Sequence, residues 1–340
     1  MKSIKHYYTG KFSENIKLGI IIVIILLLPV LTRSMFFMTI GAEILILGLF
    51  ATSLNLLMGY SGMVSFGHAG YFGVGAYTIA ILLQKTTLPF STALFSAFLL
   101  SALAGLLIGY ICMKVSDIYF AFLTLAFSEL IYVVIVKWEK FTGGYTGMVG
   151  GIRLPSLIES TEGFYIFTLI LVILSHVVFA ILLNSPFGWT LRGIRDNTER
   201  LEFLGINVTV HKLIAFIISC GFTGLAGALL TIFSRGAYPD FASFWKNGEV
   251  FFMILVGGLN SFLGPLIGAV VLKFLKTYIS AYTIEWELIL GSILVFLAIF
   301  FRTGLVPSIK NLYERFGAVR KIELQEANHV KRKDPPQNRD

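Results

Sequence analysis

Nine long apolar stretches occupy most of this chain and limit the folds that it can adopt. A helix that crosses the hydrocarbon of a bilayer needs about 20 mostly apolar residues. Seven stretches approach or reach that length: 18–33, 36–58, 90–112, 116–136, 164–183, 213–233 and 283–301. Two more, 59–84 and 249–281, are apolar but interrupted by glycine, proline and polar residues. The sequence therefore predicts an all-α polytopic membrane protein with about eight to ten transmembrane helices, including two glycine-interrupted or re-entrant segments.

Composition agrees with this class, because charged residues make up only 14% of the chain, against about 25% in soluble domains. Positive charge then predicts the orientation, since lysine and arginine collect on the cytoplasmic side of a membrane. Residues 1–17 carry four lysines and one acid, 184–212 carry four Lys/Arg and three acids, and 302–340 carry nine Lys/Arg and five acids. We expect all three segments to be cytoplasmic.

The chain accordingly divides into a cytoplasmic N-terminal arm at 1–17, a transmembrane domain at 18–301 and a basic cytoplasmic tail at 302–340. For the tail to return to the cytoplasm, the stretch 249–281 should enter and leave on one side, with GGLNSFLGP (257–265) at mid-depth. The tail is typical of a disordered, solvated extension. Binding to anionic lipid headgroups is the alternative.

Residues 59–77 read GYSGMVSFGHAGYFGVGAY and contain six glycines, although glycine costs a helix interior about 1 kcal/mol relative to alanine. Broken helices of this kind form sites near the bilayer midplane in transporters. Alternatively, the small residues from Ser65 to Ala80 form a stripe that lets helices approach closely. The candidates for a translocation path or helix break are Asn55, Gly59, Gly62, Ser65, His68, Gly257, Gly258 and Asn260.

Three ionisable residues, Glu43, His68 and Glu129, lie inside predicted spans. Such groups are costly in a membrane and often functional. A neutral His68 that is hydrogen-bonded to a neighbouring helix is the alternative. Each glutamate could pair with a neighbour, line a polar cavity or carry a proton.

The loop SPFGWTLRGIRDNTERLEFLGINVTVHKL (185–213) has the signals of two short helices. Proline follows Ser185 at the first helical position. Asp196 and Glu199 form a capping-box-like pair that opens the second helix, and Gly205 closes it in a left-handed conformation. We expect a docking surface for another protein, or alternatively a helix that lies on anionic lipid. The candidate residues of this surface are Arg192, Arg195, Asp196, Glu199, Arg200 and Gly205.

Enzyme signatures are missing from the sequence. It contains no G-x-x-x-x-G-K-[ST] nucleotide loop, and no H-E-x-x-H, G-x-S-x-G or paired-cysteine metal motif. We therefore expect no catalytic residue, no metal and no cofactor bound by this chain. A transporter of this kind would take its energy from another chain.

Four segments together resemble the permeases of branched-chain amino-acid ABC importers, the LivM type. They are NLLMGYSGMVSFGHAGYFGVGAY (55–77), FTGGYTGMVGGI (141–152), SPFGWTLRGIRDNTERLEFLGINVTVHKLIAFIISCGFTGLAGAL (185–229) and MILVGGLNSFLGPLIGAVVL (253–272). The resemblance implies a bacterial inner-membrane permease subunit that moves leucine, isoleucine, valine or related small polar solutes. It also implies a sister permease, two cytoplasmic subunits that bind ATP-Mg, an extracytoplasmic substrate-binding protein, and no nucleic-acid partner.

In that family the cytoplasmic loop docks in a groove of the ATPase, which implies that residues 192–205 couple ATP hydrolysis to transport. The family usually has a glutamate seven residues before the loop glycine, where this chain has Thr198, with Glu199 one place later. A stand-alone ion-coupled secondary transporter or channel that uses Glu43, His68 or Glu129 is the alternative. An intramembrane enzyme would need a nucleophile–base or metal arrangement that the spacing of these residues does not indicate.

Overall fold

The computed structural model describes residues 29, 33–115, 117–259, 261–283, 285–300 and 304–308. The expectations for the arm 1–17, most of the span 18–33, Asn260 and most of the tail 302–340 lie outside these residues. The described chain is almost entirely helical, as its apolar stretches predict. Its strands within these ranges are two residues each, β1 (Met148–Val149) and β2 (Gly236–Ala237), which pair antiparallel.

The helices follow the predicted spans closely. They are α1 (Met35–Asn55), α2 (His68–Lys85), α3 (Phe90–Cys112), α4 (Asp117–Lys137), α5 (Glu139–Thr142), α6 (Ser156–Glu159), α7 (Thr161–Asn184), α8 (Pro186–Asp196), α9 (Thr198–Phe203), α10 (Val208–Ser234), α11 (Phe244–Gly257), α12 (Gly264–Ser280) and α13 (Trp286–Phe300). A π-helical turn, Leu56–Ser61, extends α1, and 3₁₀ turns lie at Gly144–Thr146 and Pro239–Ala242. Helix α1 with its π turn, α3, α7, α10 and most of α4 are long and apolar enough to cross a membrane. The protein is an all-α polytopic membrane protein.

Helices α1 and α10 form the buried centre of the bundle. Helix α10 packs on α1, α2 and α3, and small residues bring the backbones together. A Cβ atom on Gly75 of α2 would overlap the carbonyl group of Gly224, and one on Gly227 would overlap the carbonyl of Phe72. Ala69 and Ala76 of the small-residue stripe are fully buried. On α2, therefore, the glycines and alanines serve close packing.

The loop helices α8 and α9 lie at one end of the bundle, which we call the loop end. Helix α7 leads directly into α8, and α1 runs beside α7 in the same direction. Gly41 lies against the Tyr165 ring, and Thr52 Oγ1 lies 3.2 Å from Nε2 of His176. The π turn at the end of α1 therefore reaches the loop end.

Helices α11 and α12 form an antiparallel hairpin, because Gly268 lies against the Met253 carbonyl and Gly257 against Gly264. The hairpin enters and leaves at the end opposite the loop end, as the charge pattern predicts for 249–281. The expected mid-depth position of its turn is wrong. The turn lies beside Asn55 and Gly59, which belong to the last part of α1 and to its π turn. The chain approaches α11 beside Gly73 of α2, inside the bundle, so the hairpin starts short of the opposite end and its turn comes closer to the loop end.

Candidate functional site

The first helix break lies between α1 and α2. The π turn ends at Gly62, whose φ of 75° is a conformation that glycine adopts without strain. Met63 N–H donates to the Leu57 carbonyl at 3.1 Å, and the chain then leaves helical geometry until α2 begins at His68. The sequence located this break correctly. It could not show that Gly62 is the glycine with left-handed backbone, whereas the nearby glycines of α2 allow close helix packing.

The two breaks, far apart in sequence, lie against each other. The Asn55 amide Nδ2 donates to the carbonyl of Ser261 at 3.3 Å. Gly59 lies so close to the Leu259 carbonyl that a Cβ atom could not fit. On the other side of the hairpin turn, Gly304 lies against Gly258. The structure thus brings together the candidates Asn55, Gly59, Gly257 and Gly258.

Helix α8 is joined to the first break by two arginines. Arg195 Nη1 donates to the Gly59 carbonyl at 2.6 Å, and a Cβ atom on Gly62 would lie 3.0 Å from Cγ of Arg195. The Arg192 guanidinium lies 5.3 Å from the Tyr60 ring centroid and 4.8 Å from that of Trp189. The loop and the break are therefore one connected unit.

The capping of α9 differs from the prediction. The cap is Asn197, whose Oδ1 accepts the backbone N–H of Arg200 at 2.8 Å. Asp196 instead pairs with Arg195 at 3.2 Å, because it lies in the last turn of α8. Glu199 and Arg200 are exposed. Gly205 closes the helix with a φ of 80°, as predicted.

The tip of α9 exposes apolar side chains that the sequence analysis did not single out. Leu201 packs on Gly193, but Leu204 is 71% exposed and Phe203 is 90% exposed. The sequence signal for this tip is the pair Phe203 and Leu204, two large apolar residues directly before Gly205, which ends the helix. They form an apolar tip in a charged loop.

His68 lies at the start of α2 and is fully buried. Its Nδ1 lies 2.9 Å from Ser65 Oγ, and its Nε2 lies 2.9 Å from Ser219 Oγ on α10. The rings of Tyr71 and Phe216 lie edge-on to it. Both ring nitrogens of His68 thus lie within hydrogen-bonding distance of a serine hydroxyl. This is the arrangement expected for the alternative of a histidine that is hydrogen-bonded to a neighbouring helix.

Two ion-pair clusters lie where α12 meets its neighbours. Lys273 Nζ lies 2.5 Å from Oε1 of Glu43 on α1. Glu249 of α11 pairs with Lys246 at 2.8 Å and Lys276 at 3.3 Å. Of the three roles considered for Glu43, the structure thus shows pairing with a neighbour. Glu129 is half-buried on α4.

The Glu43–Lys273 pair gives a first prediction. Glu43→Gln should lower the free energy of unfolding by about 1–3 kcal/mol, less than the 3–5 kcal/mol of a fully buried pair, because it leaves Lys273 without its carboxylate. The double variant Glu43→Gln/Lys273→Met should recover most of this loss. Thermal unfolding of the purified protein in detergent measures both. A double variant less stable than the single one would contradict this account.

Comparisons with known proteins agree with the geometry. The model of the branched-chain amino acid transport system permease component matches residues 36–299. The high-affinity branched-chain amino acid transport system permease protein LivM of Salmonella typhimurium is 30% identical over 290 residues, covering 77% of this chain and 67% of that protein.

Two more distant relatives come from Methanocaldococcus jannaschii. Its probable branched-chain amino acid transport permease LivM is 24% identical over 281 residues, covering 70% of this chain and 80% of that protein. Its probable LivH permease is 25% identical over 253 residues, covering 70% and 78%. No solved structure matches the chain. The relatives are transport subunits and not enzymes, and this chain belongs to the branched-chain amino acid transport permease family, the membrane subunits of ABC importers.

Proposed function

We propose that this permease moves leucine, isoleucine and valine, or related small polar solutes, into the cell. The names of its relatives support the substrate class. The observation that carries the mechanism is the hydrogen bond of 2.6 Å from Arg195 to the Gly59 carbonyl. It links the loop that would meet an ATPase to the break that would open a path.

We assign the proposed partners to different sides of the bundle. The loop end faces the cytoplasm, together with the arm 1–17 and the tail 302–340, and receives two ATP-binding subunits that carry ATP-Mg. A sister permease packs beside the chain in the bacterial inner membrane. An extracytoplasmic substrate-binding protein delivers the solute at the opposite end.

The apolar tip of α9 is the docking point for the ATPase. Phe203 and Leu204 are exposed and stand among the charged side chains of Glu199, Arg200 and Glu202. An apolar centre with a polar rim is the usual anatomy of a protein interface. The charges are of both signs, whereas a helix that lies on anionic lipid is typically rich in lysine and arginine.

Movement would pass from α8 to the breaks through contacts already described. Closure of the ATPase pair displaces α8, and Arg195 carries the displacement to Gly59 in the π turn. The contacts from Asn55 to Ser261 and from Gly59 to Leu259 carry it to the hairpin turn. A transporter must release its solute, so its affinity has to differ between the two states.

The assembly is tested by purifying the tagged chain from its native membrane in a gentle detergent and identifying co-purifying proteins by mass spectrometry. We expect two ATPases with P-loops and a second glycine-rich permease. The alternative, a stand-alone ion-coupled transporter, predicts that the chain purifies alone and moves solute in liposomes under an ion gradient. Glu43 forms an ion pair with Lys273, which gives that acid a structural partner within the chain.

The docking role of the tip makes a second prediction. Phe203→Ser should weaken binding of the ATPase by about 10- to 100-fold, the size of effect typical of a central aromatic residue in an interface. Binding is measured by titrating purified ATPase onto the permease in nanodiscs. Tyr145→Ser is the matched control, since Tyr145 is 76% exposed but lies away from the loop end. Equal affinities for both variants would contradict the docking site.

A further inference from the structure

The extended segment between the two helices alternates between buried and exposed residues. Met63 is 7% exposed and Ser65 is fully buried, whereas Gly62 is exposed and Val64 is 38% exposed. Phe66 is half-buried. A period of two residues is that of a β-strand. We call the outward side of Gly62, Val64 and Phe66 the open face.

The open face runs from the loop end into the depth of the bundle. At its lower end, Gly62 lies against Arg195. At its upper end, the segment joins His68, which contacts Ser219, the twelfth residue of α10. With a rise of 1.5 Å per residue, Ser219 lies about 16 Å along α10. The segment is therefore irregular backbone at membrane depth.

Helices α4 and α11 flank the segment. Gly67 lies against the Thr124 carbonyl on α4, and the Phe66 ring lies 5.6 Å from the Phe251 ring on α11. The open face thus lies between these two helices.

The backbone of the extended segment has unpaired polar groups. Within the described part of the chain, the N–H and C=O groups of Val64 and Ser65 and the N–H group of Phe66 form no hydrogen bond. An unpaired backbone group in hydrocarbon costs several kcal/mol, so irregular backbone at membrane depth occurs only where protein or a water-filled cavity covers it. Lipid therefore cannot cover the open face.

Buried side chains near the extended segment also have unpaired polar atoms. Ser128 Oγ and Asn247 Nδ2 have no hydrogen-bond partner among the described residues. Ser128 lies against Gly70, and the Oδ1 atom of Asn247 accepts the Ala69 N–H at 3.2 Å. Buried polar atoms that the protein leaves unpaired are usually satisfied by water. Unpaired donors and acceptors thus lie in this segment and beside it, which favours water over a dry protein cover.

We propose that the open face lines the aqueous path of the permease and contacts the solute. The N–H and C=O groups of Val64 and the N–H group of Phe66 take the place of water around the carboxylate, ammonium or amide group of a small solute. The side chains of Val64 and Phe66 contact its apolar part. This assignment rests on the proposed transport function. It places the solute against Val64 and Phe66, and not against the buried Ser65 and His68.

Cysteine labelling in the complete transporter tests the proposal. The two native cysteines, both buried, are first replaced by alanine. Val64→Cys and Phe66→Cys are then exposed to a charged methanethiosulfonate, which reacts with the thiolate and therefore needs water at the thiol. The control is Leu103→Cys on α3, because Leu103 is 44% exposed and lies near the middle of its helix.

We expect Val64→Cys and Phe66→Cys to react at least ten times faster than Leu103→Cys, and leucine to slow their reaction. Met63→Cys, at a buried position, should stay unreactive. Rates equal to that of Leu103→Cys in a complex that still takes up leucine would overturn the proposal alone. So would slow labelling together with a cross-link from position 64 or 66 to the sister permease, since that indicates a dry interface. A chain that purifies without ATPases would instead contradict the proposed function.

Discussion

Replacing Gly75 by leucine is expected to abolish the folded membrane domain. A Cβ atom at this position would overlap the backbone carbonyl of Gly224 on α10, and backbone cannot move aside as a side chain can. Even Gly75→Ala should cost about 1–3 kcal/mol through overpacking. The leucine variant has to separate α2 from the buried centre of the bundle. The measurement is the yield of monodisperse protein in detergent, with the unfolding temperature of the alanine variant.

The matched control for this prediction is Gly291→Leu. Gly291 lies on α13 and is exposed, and an added Cβ would meet nothing within 4 Å among the described residues beyond its chain neighbours and the backbone of its own helix. A leucine there should leave the yield unchanged, because apolar surface facing lipid is tolerated and leucine favours a helix more than glycine does. Equal yields for Gly75→Leu and Gly291→Leu would show that the close approach of α2 and α10 is not needed.

Arg195→Ala should lower uptake by about 10- to 100-fold while ATP hydrolysis by the assembled complex continues. The substitution removes a hydrogen bond from a charged donor to the Gly59 carbonyl, which is worth about 1.5–3 kcal/mol. Arg195→Lys should restore part of the uptake. A lysine can donate to that carbonyl but lacks the planar fork with which Arg195 also reaches Asp196. Uptake and ATP hydrolysis are measured in the same proteoliposomes.

Lys212→Ala is the control for this variant. It removes a cation from the same end of the bundle, at a position with no ion pair among the described residues. Its ratio of uptake to hydrolysis should equal that of the unaltered protein. If Arg195→Ala lowers both activities equally, Arg195 serves assembly of the complex and does not transmit movement.

The sequence predicted the helices well, because about 20 apolar residues in a row allow few alternatives to a membrane helix. It also located the break after α1 and the two loop helices. It could not show that Gly75 packs against a neighbouring helix while Gly62 adopts a left-handed turn. Glycine is needed at both positions, but for different reasons. The backbone of a neighbouring helix excludes a side chain at Gly75, whereas the positive φ disfavours one at Gly62.

Contacts between distant segments were beyond the sequence. Glu43 and Lys273 pair only because α1 and α12 run antiparallel in one particular register. The link between Arg195 and Gly59 depends in the same way on how α8 lies under the π turn. The error at the α9 cap has a local cause. Asp196 and Asn197 are both good capping residues, and the length of α8 decided between them.

The π turn Leu56–Ser61 allows the end of α1 a second helical register. A π turn closes its hydrogen bonds one residue later than an α turn, so it contains one residue more than the α-helix needs. Converting it to α geometry would rotate the chain beyond it by about 100° and advance it by about 1.5 Å. Gly59 lies within this turn, so the conversion would move its carbonyl relative to Arg195 while the helix stays continuous.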